Sequence, residues 1–274
     1  MKTVISSAAL SLTLLLSNMS KADDFPEHIA DRTNYPRERA IVFGANAGIG
    51  AILGCLGAQI SGDGCLEGLW RGSIGGTITY FGMEIGSRNE QVPFSGLVGR
   101  GINDLGASIV SNAIFSRGFL ERYETTFGPL VFSIDSNYGF RTYIQPLATG
   151  TVIYHFIVGH DFSLMDSIED GTLVFRMYEP SVSRTGSASA GTTNSTIPAY
   201  MPSQPATRSH ENIHTYQLSR MRWADELVPQ VWIFRYGAEA LSALLSLPAN
   251  LFEGDAYYYD PFEMEAYAME RPGH

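Results

Sequence analysis

Ala40 to Gly62 runs for 23 residues without a charge, and nothing else in the sequence restricts the fold of this chain as much. Glycines stand at positions 44, 48, 50, 54, 57 and 62, giving the small-residue spacings Gly44/Gly48 and Gly50/Gly54. A second Gly-rich apolar piece, Gly72 to Gly86, repeats the composition. Two arrangements satisfy such a pair. One is a membrane-inserting helical hairpin that packs through its glycines. The other is two closely approaching helices within a soluble or envelope-associated domain. Asn46, Gln59 and the glycines make the segment less apolar than a Leu-rich span. Membrane association through residues 40–86 therefore stands as an open alternative.

The N-terminus reads as a secretory signal peptide. Lys2 opens it, Val4 to Leu16 carries no charge and is too short to span a bilayer, and Ser20-Lys21-Ala22 forms a small-residue cleavage site. Cleavage after Ala22 is expected, making the mature chain an exported one, periplasmic or secreted. The full sequence has 18 Lys+Arg against 28 Asp+Glu, a formal charge of -10. The lysines are Lys2 and Lys21, so removing residues 1–22 leaves 16 arginines against the same 28 acids, or -12. An acidic chain without a basic run cannot neutralise a phosphate backbone, and nucleic acid is excluded as an expected partner. Cys55 and Cys65 flank a short Gly-containing stretch. In an exported protein they are expected to form a disulfide that pins the turn between neighbouring segments.

Beyond the Gly-rich pieces, residues 95–122 show a helical period. Val98, Ile102, Leu105, Ile109 and Ala113 recur at three- and four-residue steps, with Asn103, Asp104, Ser108, Asn112 and Arg117 facing elsewhere. An amphipathic helix with the apolar stripe inward follows. Phe127 to Ile134, Phe140 to Leu147, Thr151 to Val158 and Thr172 to Tyr178 are rich in aromatic and β-branched residues. They are separated by Asn137-Tyr138-Gly139, Thr149-Gly150 and Asp170-Gly171, so an antiparallel meander of about four strands is expected. His155 and His160 fall on a strand and a strand-end loop. Residues 181–209, dominated by Ser, Thr, Ala, Gly and Pro, read as a flexible linker or flap. Helices return over 210–274, through about Asp225, from Val231 to about Leu247, and from Pro261 to Glu270. The expected organisation is thus a signal peptide (1–22), a Gly-rich helical region (23–122), an antiparallel sheet (123–180), a linker (181–209) and a helical region (210–274).

Directly after the linker stands His210-Glu211-Asn212-Ile213-His214. Two histidines four apart on a helix project to one face, where both imidazoles can bind one zinc ion, and the intervening Glu211 can reach a water on that ion. Ser209 is the expected N-cap, and Ile213, Gln217, Leu218 and Met221 continue a helical stripe. A catalytic zinc also needs a third protein ligand and an open position. Asp260-Pro261-Phe262-Glu263-Met264-Glu265-Ala266 supplies candidates on a later helix. Glu263 and Glu265 are about 200° apart around a helix, so they cannot both face one ion.

These residues resemble the gluzincin type of zinc metallopeptidase, whose third ligand is a glutamate on a later helix in an E-x-x-A register. Glu263 with Ala266 matches that register, leaving Glu265 in reserve. The resemblance covers about residues 208–270. It implies that His210, His214 and Glu263 hold Zn²⁺, that Glu211 is the general base, and that the substrate is a peptide or protein. An oxyanion donor is expected among Tyr216, Tyr257, Tyr258, Tyr259, Tyr267 and Arg220. The H-E-x-x-H-x-x-G-x-x-H continuation of metzincins is absent. The expectation is an α+β protein with a Gly-rich helical N-terminal part, an antiparallel β-meander and C-terminal zincin-like helices. Its rival is a non-catalytic envelope or membrane-associated protein that uses the Gly-rich hydrophobic hairpin.

Overall fold

The computed structural model describes residues 35–89, 91–178, 181–182, 188–189, 191–194, 196–203, 205–227, 235, 237–238, 240–241 and 261–269. The signal peptide and most of the expected helix at Val231–Leu247 lie outside them. Among the described residues the architecture is mixed α+β. Helices α1 (Tyr35–Ser61), α2 (Cys65–Gly86) and α3 (Ser95–Ile114) come first, then strands β1 (Arg122–Phe127), β2 (Leu130–Asp135) and β3 (Gly139–Ile144). Helix α4 (Pro146–Ile157), β4 (Asp161–Phe162), α5 (Leu164–Asp170) and β5 (Phe175–Arg176) follow. Short strands β6 (Ser181–Val182), β7 (Ala188–Ser189), β8 (Gly191–Asn194) and β9 (Ile197–Tyr200) lead to α6 (Pro205–Arg220), a 3₁₀ turn at Arg222–Glu226, and α7 (Pro261–Met269).

Glycines let α1 and α2 touch backbone to backbone. A Cβ on Gly54 would collide with the Gly68 carbonyl and one on Gly68 with the Gly54 carbonyl; Gly50 and Gly72 form the same reciprocal pair. The Cys55–Cys65 disulfide closes the turn beside the Gly54–Gly68 contact, and Arg39 pairs with Glu84 near the other end. Gly44 and Gly48 take no part, since among the described residues nothing lies within 4 Å of where their Cβ atoms would sit.

Helix α3 buries Ile109 and Ala113 of the expected stripe and also much of its polar face. Asn103, Asp104, Ser108 and Asn112 are buried, whereas Val98 is 52% exposed. Asn103 packs against α2 at Gly82 and Thr79; for the other three the reason lies in β1, an edge strand of the β1-β2-β3 sheet. A buried edge needs partners for its backbone groups, and side chains of α3 supply them. Asp104 Oδ2 accepts from Thr126 N (3.2 Å), Ser108 Oγ from Glu124 N (2.9 Å), and Asn112 Nδ2 donates to Arg122 O (2.9 Å). Four residues of helix rise about 6 Å and two of strand about 6.6 Å, so the two periods stay in step over this length. The buried charges are paired as well: Arg222 binds Asp104 at 2.5 Å, and Arg122 and Arg235 both meet Glu124.

The meander is antiparallel, with three strands inside 122–144. The expected strand Phe127–Ile134 is broken by a turn at Gly128 (φ +57°), and the Asn137-Tyr138-Gly139 turn forms with Gly139 at φ +71°. The expected strand Thr151–Val158 is helical instead. Pro146 starts α4 at a position where its missing N–H costs nothing, and Ala148, Thr151 and His155 form a buried stripe at helical spacing that overrides the β propensity of Val, Ile, Tyr and Phe. Gly171 (φ +68°) caps α5 rather than turning a hairpin. Within the expected linker, β9 is buried and central to a four-stranded sheet of order β4-β5-β9-β8, parallel to β5 and antiparallel to β8. The helix that carries the histidines starts at Pro205, so Ser209 lies within it and is no N-cap; its hydroxyl donates to Asn89 Oδ1 at 2.7 Å.

Candidate metal centre

Helix α6 is fixed from three sides. Its inner face meets α3, where Arg100 bonds Thr215 and Tyr216 Oη donates to Gly96 O at 2.9 Å. Gly86 leaves room for the Tyr216 ring, which a Cβ there would overlap. Arg208 reaches Glu169 and Asp170 of α5 at 3.0 and 2.8 Å. Val42, Met83, Ile213, Tyr216, Ala266 and Met269 form a core cluster that joins α1, α2, α6 and α7. This cluster sets α7 against the face of α6 that carries the histidines.

His210 and His214, one turn apart, present their Nε2 atoms 3.2 Å from each other. Glu263, in the first turn of α7, places Oε2 3.1 Å from His210 Nε2 and Oε1 3.4 Å from His214 Nε2. Donors at about 2.0–2.1 Å from a tetrahedral ion lie about 3.3 Å apart. The trio therefore has the spacing and the donor types that could hold one divalent metal ion. Among the described residues, His210, His214 and Glu263 are the group of three whose ligand atoms converge, all within 4.8 Å.

Burial alone would raise the Glu263 carboxyl, but hydrogen bonds with His210 and His214 outweigh it and hold the group well below the usual carboxylate range. Burial opposes charge on His214, and the bond to Glu263 reverses that and raises its pKa. Glu211 is buried beside the trio and its charge also acts on His214.

Glu265 is turned elsewhere. It pairs with Arg220 (Nη1 at 2.9 Å) and accepts from Asn46 Nδ2 at 2.9 Å and Gln217 Nε2 at 3.1 Å, which anchors α7 to α6 and α1. That same bonding engages Arg220, and Tyr216 is spent on Gly96 and Asn212. Neither of these two expected oxyanion donors is free to meet a substrate. Tyr267 packs against His210, with ring centroids 4.6 Å apart; Tyr257, Tyr258 and Tyr259 lie outside the described residues. Asn46 and Gln217 were not singled out from sequence as site residues. Gln217 carried a readable signal, standing three residues after His214 and so on the same helical face.

His155 lies in α4 and not on a strand, whereas His160 sits in the loop directly before β4, as expected. His155 is fully buried in α4, its Nδ1 2.8 Å from His160 Nδ1 and its ring stacked on Phe175 at 4.8 Å. Burial, then repulsion from His160, lowers its pKa to about 4.

Comparison with protein-family models, with curated proteins and with solved structures finds no match, so function must be argued from this geometry.

Proposed function

We propose that the chain is an exported zinc-dependent metallopeptidase of the gluzincin type, hydrolysing a peptide bond through an activated water. The observation that carries the reading is the convergence of His210 Nε2, His214 Nε2 and a Glu263 carboxylate at 3.1–3.4 Å, the donor spacing of one tetrahedral ion. Bound zinc would supply Lewis-acid polarisation and lower the pKa of a water toward about 7. Glu211 takes a proton from the attacking water and delivers it to the departing amine; the carbonyl carbon gains a bond to oxygen and loses its bond to nitrogen. Tyr267 is the nearest described candidate to donate to the oxyanion. Export is supported by the N-terminal sequence and by the Cys55–Cys65 disulfide.

The test is metal content of the purified mature protein, prepared without chelator. About one zinc per chain is expected in wild type and in Glu211→Gln, with loss in His214→Ala and Glu263→Ala. Peptidase activity should disappear in Glu211→Gln although zinc is retained. A metal-free wild type sinks the reading, and loss of zinc in Glu265→Ala but not Glu263→Ala moves the third ligand.

One observation favours a second reading, membrane association through residues 40–86. The helix over Pro36–Ser61 is long and apolar enough to cross a membrane, yet only 28% of its apolar window is buried. A core helix of similar composition would be mostly buried. Carbonate-resistant sedimentation with membranes is the expected outcome on that reading; full recovery in the soluble fraction overturns it.

A further inference from the structure

Which imidazole nitrogen of His214 is free to bind a metal is decided by hydrogen bonds around Gln217. Its side-chain amide lies between α6 and α7. One end sits 2.7 Å from the Phe262 carbonyl oxygen and 3.1 Å from Glu265 Oε2. A backbone carbonyl oxygen only accepts, so that end must be the NH₂. The other end is then the carbonyl oxygen, and it lies 2.8 Å from His214 Nδ1. An amide oxygen only accepts, so Nδ1 must carry the proton, and the lone pair of a neutral ring falls on Nε2. That nitrogen is the one facing His210 and Glu263.

We infer that Gln217 is a positioning residue: one amide fixes the His214 tautomer and ring angle and ties that choice to α7, which brings Glu263. The role deepens the metallopeptidase reading and rests on it for its catalytic meaning, although the tautomer itself does not require a metal. The Glu265 end of the amide is held in turn by Arg220 and by Asn46 of α1. The orientation of one imidazole therefore depends on side chains from three helices. Partners of this kind orient metal-binding histidines, and their loss typically weakens metal binding about 10- to 100-fold.

Side-chain ¹⁵N NMR of the metal-free protein, at a pH where the ring is neutral, reads the tautomer directly. The expected result is Nδ1–H in wild type, with no variant required. Gln217→Met keeps most of the volume but offers neither bond; it should shift His214 away from the Nδ1–H form and weaken zinc binding about 10- to 100-fold in a chelator competition. Gln217→Glu keeps an acceptor for Nδ1–H but loses both bonds to α7. It should retain the wild-type tautomer while binding zinc less tightly, a separation that a merely space-filling role would not produce. Nε2–H in the wild type overturns the inference, as does a Gln217→Met protein with unchanged tautomer and unchanged zinc affinity. A wild type that shows Nδ1–H but binds no zinc supports the positioning role and overturns the metal reading, so the two failures are distinguishable.

Discussion

The α1–α2 hairpin and the α6–α7 pair are both helix–helix contacts, and they are held together by opposite means. The first is held by what is missing: Gly50, Gly54, Gly68 and Gly72 have no side chains, and the backbones meet. The second is held by what is present: His210, His214, Gln217 and Arg220 bond Glu263, Glu265 and the Phe262 carbonyl. A contact of the first kind is intolerant of added volume and indifferent to charge. A contact of the second kind tolerates volume better than the loss of a partner. Helix α3 lies between these regimes, with glycines toward α2 and bonded polar side chains toward β1.

The largest effect is expected where the hairpin is closest. Gly54→Val or Gly68→Val drives a branched side chain into a facing carbonyl that belongs to backbone and cannot rotate away. Loss of more than about 4 kcal/mol, seen as insoluble or unfolded chain by circular dichroism, is expected. A folded Gly54→Val protein with wild-type Tm would mean that the helices do not meet there.

Second comes the bonded face of α3. Asp104 is fully buried, and its two carboxylate oxygens serve Arg222 and the β1 edge. Asp104→Ala leaves the Arg222 guanidinium buried without its partner, for which about 3–5 kcal/mol is typical. Asp104→Asn preserves shape and one acceptor and should cost less. Equal destabilisation by the two variants in urea denaturation would count against the charge pairing.

The third effect is set by pH. His155 is held neutral by burial and by His160, and its pKa of about 4 lies below the ordinary 6.5. The unfolded chain binds the proton more readily across that window, so stability present above pH 6.5 is lost as pH falls toward 4. A drop of about 1–2 kcal/mol, or several degrees in Tm, is expected between pH 7 and pH 5. His155→Gln should flatten that slope, and a slope unchanged in the variant would assign the acid sensitivity to other groups.

How much of this could be read from sequence differs between the same regions. The hairpin and the pairing of Cys55 with Cys65 follow from glycine spacing and redox context, because both are local. So is the i, i+4 geometry that sets His210 beside His214, whereas the preference for Glu263 over Glu265 is what the resemblance to gluzincins implies. What sequence concealed was tertiary. The polar face of α3 is ordinarily a solvated face; the edge of β1, with α2 at Asn103, makes it an interior one. The β-branched run in 151–158 is helical because Ala148, Thr151 and His155 find a core on one side. Ile197–Tyr200 sits in a Ser/Thr/Pro-rich context and became a central strand because β5 and β8 flank it.

The smallest effect tests the hairpin from its open side. Gly44 and Gly48 share the spacing of Gly50 and Gly54 but face nothing within 4 Å among the described residues, so close approach of a described segment does not account for them. A glycine within a helix costs about 0.5–1 kcal/mol relative to alanine, largely through the entropy of the unfolded chain. Gly48→Ala is therefore expected to raise stability by that amount, with a Tm a few degrees higher, while Gly54→Ala lowers it. The pair separates glycines that a neighbouring backbone requires from glycines it does not. If Gly48→Ala instead destabilised the protein, something beyond the described residues would have to reach that face of α1, and the distinction between its two glycine stripes would be lost.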